Sequence, residues 1–87
     1  MNKVYIITKR FWSGMAATGG LIIGVFESMA VAECCKARMM KETRRRMAPC
    51  SFSVLEDGTC RFEADDRRTE YRVEEYFINE DRSRLGL

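Results

Sequence analysis

Apolar positions change their spacing along this chain, and the changes predict its elements. Residues 3–11, Lys3-Val4-Tyr5-Ile6-Ile7-Thr8-Lys9-Arg10-Phe11, are rich in β-branched and aromatic types, which favour an extended strand. Trp12-Ser13-Gly14 opens a loop that Gly19-Gly20 closes, with Met15, Ala16, Ala17 and Thr18 between them. Leu21–Phe26 predicts a second strand, the hairpin partner of the first. From Met29 to Met47 the chain turns to Ala, Met, Glu, Lys and Arg, all strong helix formers. Ala32, Cys35, Met39 and Thr43 fall on one helical stripe, with Ala30 and Val31 beside its start, and Lys36, Lys41, Arg44 and Arg45 lie away from it. Ser28 is suited to the N-cap, and Pro49 stops the helix.

Alternation returns after Pro49. Phe52 and Val54 alternate with serines, and Cys60 and Phe62 alternate with polar residues. They predict strands over 51–55 and 59–63, joined at Glu56-Asp57-Gly58, because Asp-Gly is a strong hairpin signal. Asp65-Asp66-Arg67-Arg68 makes a polar turn into a last strand, Thr69–Asn79. There Tyr71, Val73 and Phe77 share one phase while Tyr76 and Ile78 fall on the other, which implies either a bulge or an apolar patch on the outer face. The tail, Glu80–Leu87, is mostly polar and is expected to fray. The order ββαβββ predicts a single α+β domain over residues 1–87, with one helix packed on one face of an antiparallel sheet of about five strands. The other face is left partly bare, and in so small a chain dimerisation or a partner would stabilise it by covering it.

Charge divides the chain. Residues 1–47 hold nine Lys/Arg and three Asp/Glu, whereas residues 48–87 hold six and ten, so the net +2 hides two opposed halves. The basic excess peaks at Lys36, Arg38, Lys41, Arg44, Arg45 and Arg46, which suit a nucleic acid or an acidic protein surface. An alternative is a solvated helix whose cations complement the helix dipole. The acidic half, including Asp65, Asp66, Glu74 and Glu75, suits mimicry of a phosphate backbone, or else solubilises turns and protects edge strands. Phe11, Trp12, Met15, Tyr76 and Ile78 are more than one small core needs, and Trp, Tyr and Met are common interface anchors.

The chemistry excluded is as informative. The chain has no His, so the commonest general base is missing and a cysteine nucleophile lacks its usual partner. Glu74-Glu75 and Asp65-Asp66 are sequence neighbours, which in a strand face opposite sides. No catalytic residue is assigned. Cys34, Cys35, Cys50 and Cys60 lack paired C-x₂-C knuckles and read as reduced, buried thiols, with no metal and no cofactor. The apolar run Met15–Phe26 is shorter than the about 20 residues that span a bilayer, and it lacks the order of a signal peptide. The expectation is a protein of the cytoplasm with no membrane partner.

Val4-Tyr5-Ile6-Ile7, the step Gly24-Val25-Phe26-Glu27-Ser28 into an Ala-containing helix, and the closing Glu70-Tyr71-Arg72-Val73-Glu74-Glu75-Tyr76 resemble small α+β accessory proteins carried by phages and prophages. The Cys34-Cys35 pair and the Arg44-Arg45-Arg46 run depart from that pattern. The resemblance implies a non-enzymatic protein that inhibits a host defence complex in the host cytoplasm, as anti-CRISPR proteins do. Its partner would be a host protein or ribonucleoprotein such as a CRISPR–Cas effector, blocked at a nucleic-acid-binding or assembly surface. Two other readings stand beside it: a small protein that binds nucleic acid directly through the basic helix, and a homo-oligomeric module, for instance a homodimer, that uses the bare sheet face.

Overall fold

The structure, a computed structural model, describes residues 2–78. Its elements are β1 (Asn2–Ser13), β2 (Ala16–Phe26), α1 (Met29–Met47), β3 (Ser51–Val54), β4 (Cys60–Ala64) and β5 (Arg67–Ile78). The strands form one antiparallel sheet in the order β2-β1-β5-β4-β3, and α1 packs on one face of it. This is the α+β, ββαβββ arrangement that the sequence predicts.

The centre of the sheet is the β1–β5 ladder, which pairs Asn2 with Ile78 through to Ser13 with Arg67 without a register break. Side chains alternate across a strand, so Tyr5 and Ile7 of β1 lie beside Tyr71 and Val73 of β5 on the helix side. Cys60, Phe62 and Ala64 of β4 continue that side. Ile7, Phe62 and Tyr71 are fully buried there against Ala32 and Met47, and Tyr5, Ile23, Phe26, Cys35, Met39, Met40, Cys50 and Val73 pack around them. Inside this core Thr43 Oγ1 and Tyr71 Oη share a hydrogen bond of 2.6 Å. Each hydroxyl satisfies the other, so neither buried oxygen is stranded.

The helix ends have local causes. The Ser28 hydroxyl accepts a bond from the backbone N–H of Val31 at 3.4 Å, which serves one of the amides that the first turn leaves free. At the other end Ala48 is extended, with φ −61° and ψ 139°, the conformation that a following proline favours. The Ala48–Pro49 bond is cis.

Several expectations are corrected. The loop expected over residues 12–20 is almost entirely strand, and only Gly14-Met15 turn between β1 and β2. Gly14 adopts φ +61° and donates its amide to the Asp66 carbonyl, so the β1–β2 turn is tied to the β4–β5 turn. Small residues at 16–20 suggest a loop in isolation, but pairing to β1 overrides that preference. Two bulges in this pairing, between Ile7/Thr8 and between Phe11/Trp12, absorb the irregular spacing. Likewise Arg67 and Arg68 belong to β5, and only Asp65-Asp66 turn, with Asp65 at φ +54°. Ala30 and Val31 are exposed instead of flanking the core, because at 100° per residue they turn to the solvent side of α1, while Ala32 beside them is buried. Lys36 lies against the packed side instead of away from it, its side chain only 11% exposed. The cysteines are all free thiols, but only Cys60 is buried, and Cys34 is exposed on the outer side of α1. Asn79 and the tail Glu80–Leu87 lie outside the described residues.

Thr43→Val or Tyr71→Phe alone leaves one buried hydroxyl unpaired and is expected to cost about 1–3 kcal/mol of stability. The double variant leaves neither unpaired and should cost less than the sum of the two singles. Urea denaturation of the four proteins checks this coupling.

Candidate functional site

The outer side of α1 carries the concentrated charge. At 100° per residue, Cys34, Arg38, Lys41 and Arg45 form a ridge opposite the packed stripe Ala32, Cys35, Met39 and Thr43, and all four ridge residues are exposed. Arg45 is held by Glu42, whose two carboxylate oxygens lie 2.6 and 2.7 Å from its Nη2. The hydrogen bond and charge of Arg45 hold the Glu42 carboxyl below its ordinary value. Among the described residues Arg38, Lys41, Arg44 and Arg46 have no carboxylate partner within 4.0 Å. The last turn of the helix holds three of the arginines, where the helix dipole favours cations.

Two hollows flank the ridge. One, of about 280 Å³, is lined by Ala37, Met40, Lys41, Arg44, Phe52 and Phe62 between α1 and β3. The Arg44 guanidinium stacks 5.1 Å from the Phe52 ring centre, and the Phe52 and Phe62 rings pack at 4.9 Å. The other, of about 260 Å³, is lined by Cys35, Arg38, Met39, Glu42, Arg46 and Tyr71. Cationic groups beside apolar and aromatic walls therefore adjoin both flanks of the helix.

The far face of the sheet has a different character. Arg61 Nε donates to Glu70 Oε2 at 2.7 Å. Arg68 Nε stands 3.5 Å from the same oxygen and lies over the Trp12 ring at 4.2 Å. Arg72 reaches Glu74 at 3.6 Å and Asp57 at 3.7 Å. Hydrogen bonding from Thr59, and then the Arg72 charge, hold the Asp57 carboxyl below its ordinary value. A polar cleft of about 110 Å³ among Thr8, Arg10, Asp57, Glu70, Arg72 and Glu74 sits in this network. Apart from Arg10, its charges face partners of opposite sign within the chain.

The twelve residues expected to bind a partner therefore scatter. Arg38, Lys41 and Arg45 come together on the ridge of α1, with Arg44 on one flank beside Phe52 and Arg46 on the other beside Tyr71, while Lys36 is withdrawn toward the packed side, bridged to Glu33 at 3.1 Å. Asp65 and Asp66 are exposed at the β4–β5 turn. Glu74 and Glu75 point to opposite faces: Glu74 pairs with Arg72 and Tyr76 on the far face, and Glu75 with Lys3 at 3.6 Å on the helix side. Trp12 is half-buried under Arg68, and Tyr76 is exposed. The residue that the sequence reading overlooks is Phe52. Its alternation with serines marks it as a core position, yet β3 is the sheet edge and leaves the ring 38% exposed beside Arg44.

Among the described residues there is no cluster of His, Cys, Asp or Glu arranged to hold a metal ion, and no helix is long and apolar enough to cross a membrane. Comparison with known protein families, with curated proteins and with solved structures finds no match to this chain.

Tyr76 donates its phenol hydrogen to Glu74 at 2.7 Å. That bond, and then the Glu74 charge, raise the phenol above its ordinary 10.0. A raised phenol favours the folded state while it is protonated, so this contribution is present below the ordinary value and is lost as pH rises through the raised one. Glu74→Gln should return the Tyr76 titration toward the ordinary value, as followed by the ring ¹³C shift. An unchanged midpoint would mean that this bond does not form.

Proposed function

We propose that this chain is a non-enzymatic binding protein that docks the basic ridge of α1 on a polyanion, the phosphate backbone of a nucleic acid held alone or within a ribonucleoprotein. The observation that carries this reading is the contrast between the two charged regions. The acidic groups of the far face are mostly engaged by arginines of the same sheet, whereas Arg38, Lys41, Arg44 and Arg46 have no carboxylate within 4.0 Å among the described residues. Cations free of internal partners are the ones that can replace counterions on a phosphate backbone.

The hollow beside Phe52 favours single-stranded nucleic acid. An unstacked base needs an aromatic or guanidinium plane near cations that hold its backbone, and Phe52, Arg44 and Lys41 supply both in one place. The resemblance to phage-carried accessory proteins supplies a setting, the inhibition of a host defence complex such as a CRISPR–Cas effector. A basic helix would there engage the guide or target strand more readily than the cationic channel that holds it, since like charges repel. Asp65 and Asp66 stand apart at the far turn and have no part in this mode of binding.

Binding of a single-stranded oligonucleotide should weaken steeply with salt. Three to five released counterions give a log–log slope of roughly −2 to −4 at about −0.7 per contact. Arg38→Gln/Lys41→Gln/Arg46→Gln should lower affinity at least tenfold and flatten that slope while the circular dichroism spectrum is unchanged. Equal binding by the folded triple variant, or no binding by the wild type at low salt, would refute the proposal.

A further inference from the structure

The unbroken β1–β5 register decides what the second phase of the last strand does. There is no bulge in that pairing, so Tyr76 and Ile78 stand on the far face, beside Val4 and Ile6 of β1. On β2, Val25 pairs with Ile6 and Ile22 with Thr8, which extends the same surface to the sheet edge. Ile22 is 68% exposed, Val25 57% and Tyr76 48%. The far face is therefore split, with an apolar half at the Val4/Ile78 end and a charged half around Arg61, Arg68 and Glu70.

We infer that this apolar half is a two-fold interface with a second copy of the same chain. The size of the patch fits a dimer. The six side chains expose on the order of 400–500 Å², the upper part of the range for a patch on a monomer. A standard interface takes about 800 Å² per partner. In homodimers about 65% of this area is apolar, so the need is about 520 Å², which the patch approaches when it is wholly covered. Its lack of charge fits as well. None of the six side chains is ionisable except the Tyr76 phenol, and the bordering Glu74 is already paired within each copy, with Arg72 at 3.6 Å and with the Tyr76 hydroxyl at 2.7 Å. A copy laid across this half buries no unpaired charge, whereas a strongly charged partner would find nothing there to pair with. The position of the patch fits too. Because the patch occupies one end of the sheet, a two-fold axis that passes through it across the strands overlaps only the apolar halves and leaves both charged halves in water. The same surface then meets itself, as an isologous contact requires, with the sheets stacked about 10 Å apart.

The product is a four-layer α/β/β/α dimer. Both copies of α1 lie on its outer faces, so the basic ridges stay free. This inference does not rest on the nucleic-acid reading, and either can fail alone.

Sedimentation equilibrium from micromolar to millimolar concentration tests it. The wild type should pass from monomer to dimer and stop there. Ile22→Glu should remain monomeric throughout the range. Leu21→Glu, on the helix side of the same strand and 53% exposed, should dimerise like the wild type. If circular dichroism shows that Ile22→Glu does not fold, Ile22→Ser takes its place, with the monomer–dimer midpoint moved at least tenfold upward. A wild type that stays monomeric overturns the inference, as does dimerisation that Ile22→Glu leaves untouched or that Leu21→Glu abolishes equally, since the last would place the contact on the β2 edge.

Discussion

One helix covers one face of a sheet, and that limit governs this molecule. The 19 residues of α1 make a rod about 28 Å long and roughly 10 Å across. The five strands spread over about 20–24 Å, and the longest run about 40 Å at 3.3–3.4 Å per residue. The helix therefore buries Ile7, Phe62 and Tyr71 at the middle of one face, and it leaves that face's margins and the whole opposite face to be stabilised otherwise. The Thr43–Tyr71 hydrogen bond fixes where the rod lies, since its partners come from the helix and from the central ladder.

The distribution of charge follows from that coverage. Side chains facing the core cannot be ionised without partners, so α1 sends its cations outward, and the ridge Arg38-Lys41-Arg45 is the inverse of the stripe that packs. On the uncovered face, alternation places ionic residues of β5 beside those of β4, and Arg61 pairs with Glu70 across the two strands while Arg68–Glu70 and Arg72–Glu74 pair along β5 itself. The opposition between the two halves of the sequence thus becomes a sheet surface largely balanced within itself and a helix surface that is not. Where the ionic network ends, at Tyr76, the same face becomes apolar and reaches the sheet edge through Ile22 and Val25.

How much of this the sequence discloses depends on how local its cause is. The helix is legible to its ends, because Ser28 caps it and Pro49 closes it through groups within a few residues. The two phases of the last strand are legible as well, since alternation is a local rule; the choice between bulge and patch is not, because it depends on the pairing with β1. The long β1–β2 hairpin hides for the same reason. Ala16, Ala17, Gly19 and Gly20 have poor strand preference alone, and only the neighbouring strand, with bulges to take up the register, makes them extended. At the candidate site, the cations were visible as a run, but which of them have internal partners is a property of the folded chain. Lys36 and Arg38 look alike in sequence, yet one is bridged to Glu33 on the packed side and the other stands free on the ridge.

One face of the sheet is covered by α1 and the other is open in the isolated chain. Broadening of methyl resonances by a soluble nitroxide, measured at the lowest workable concentration, tells the two faces apart. Strong broadening is expected at Ile22 and Val25, weaker broadening at Val4 and Ile6, and little at Ile7 and Ala32. Protection of Ile22 and Val25 equal to that of Ile7 in the monomeric chain would contradict an open second face.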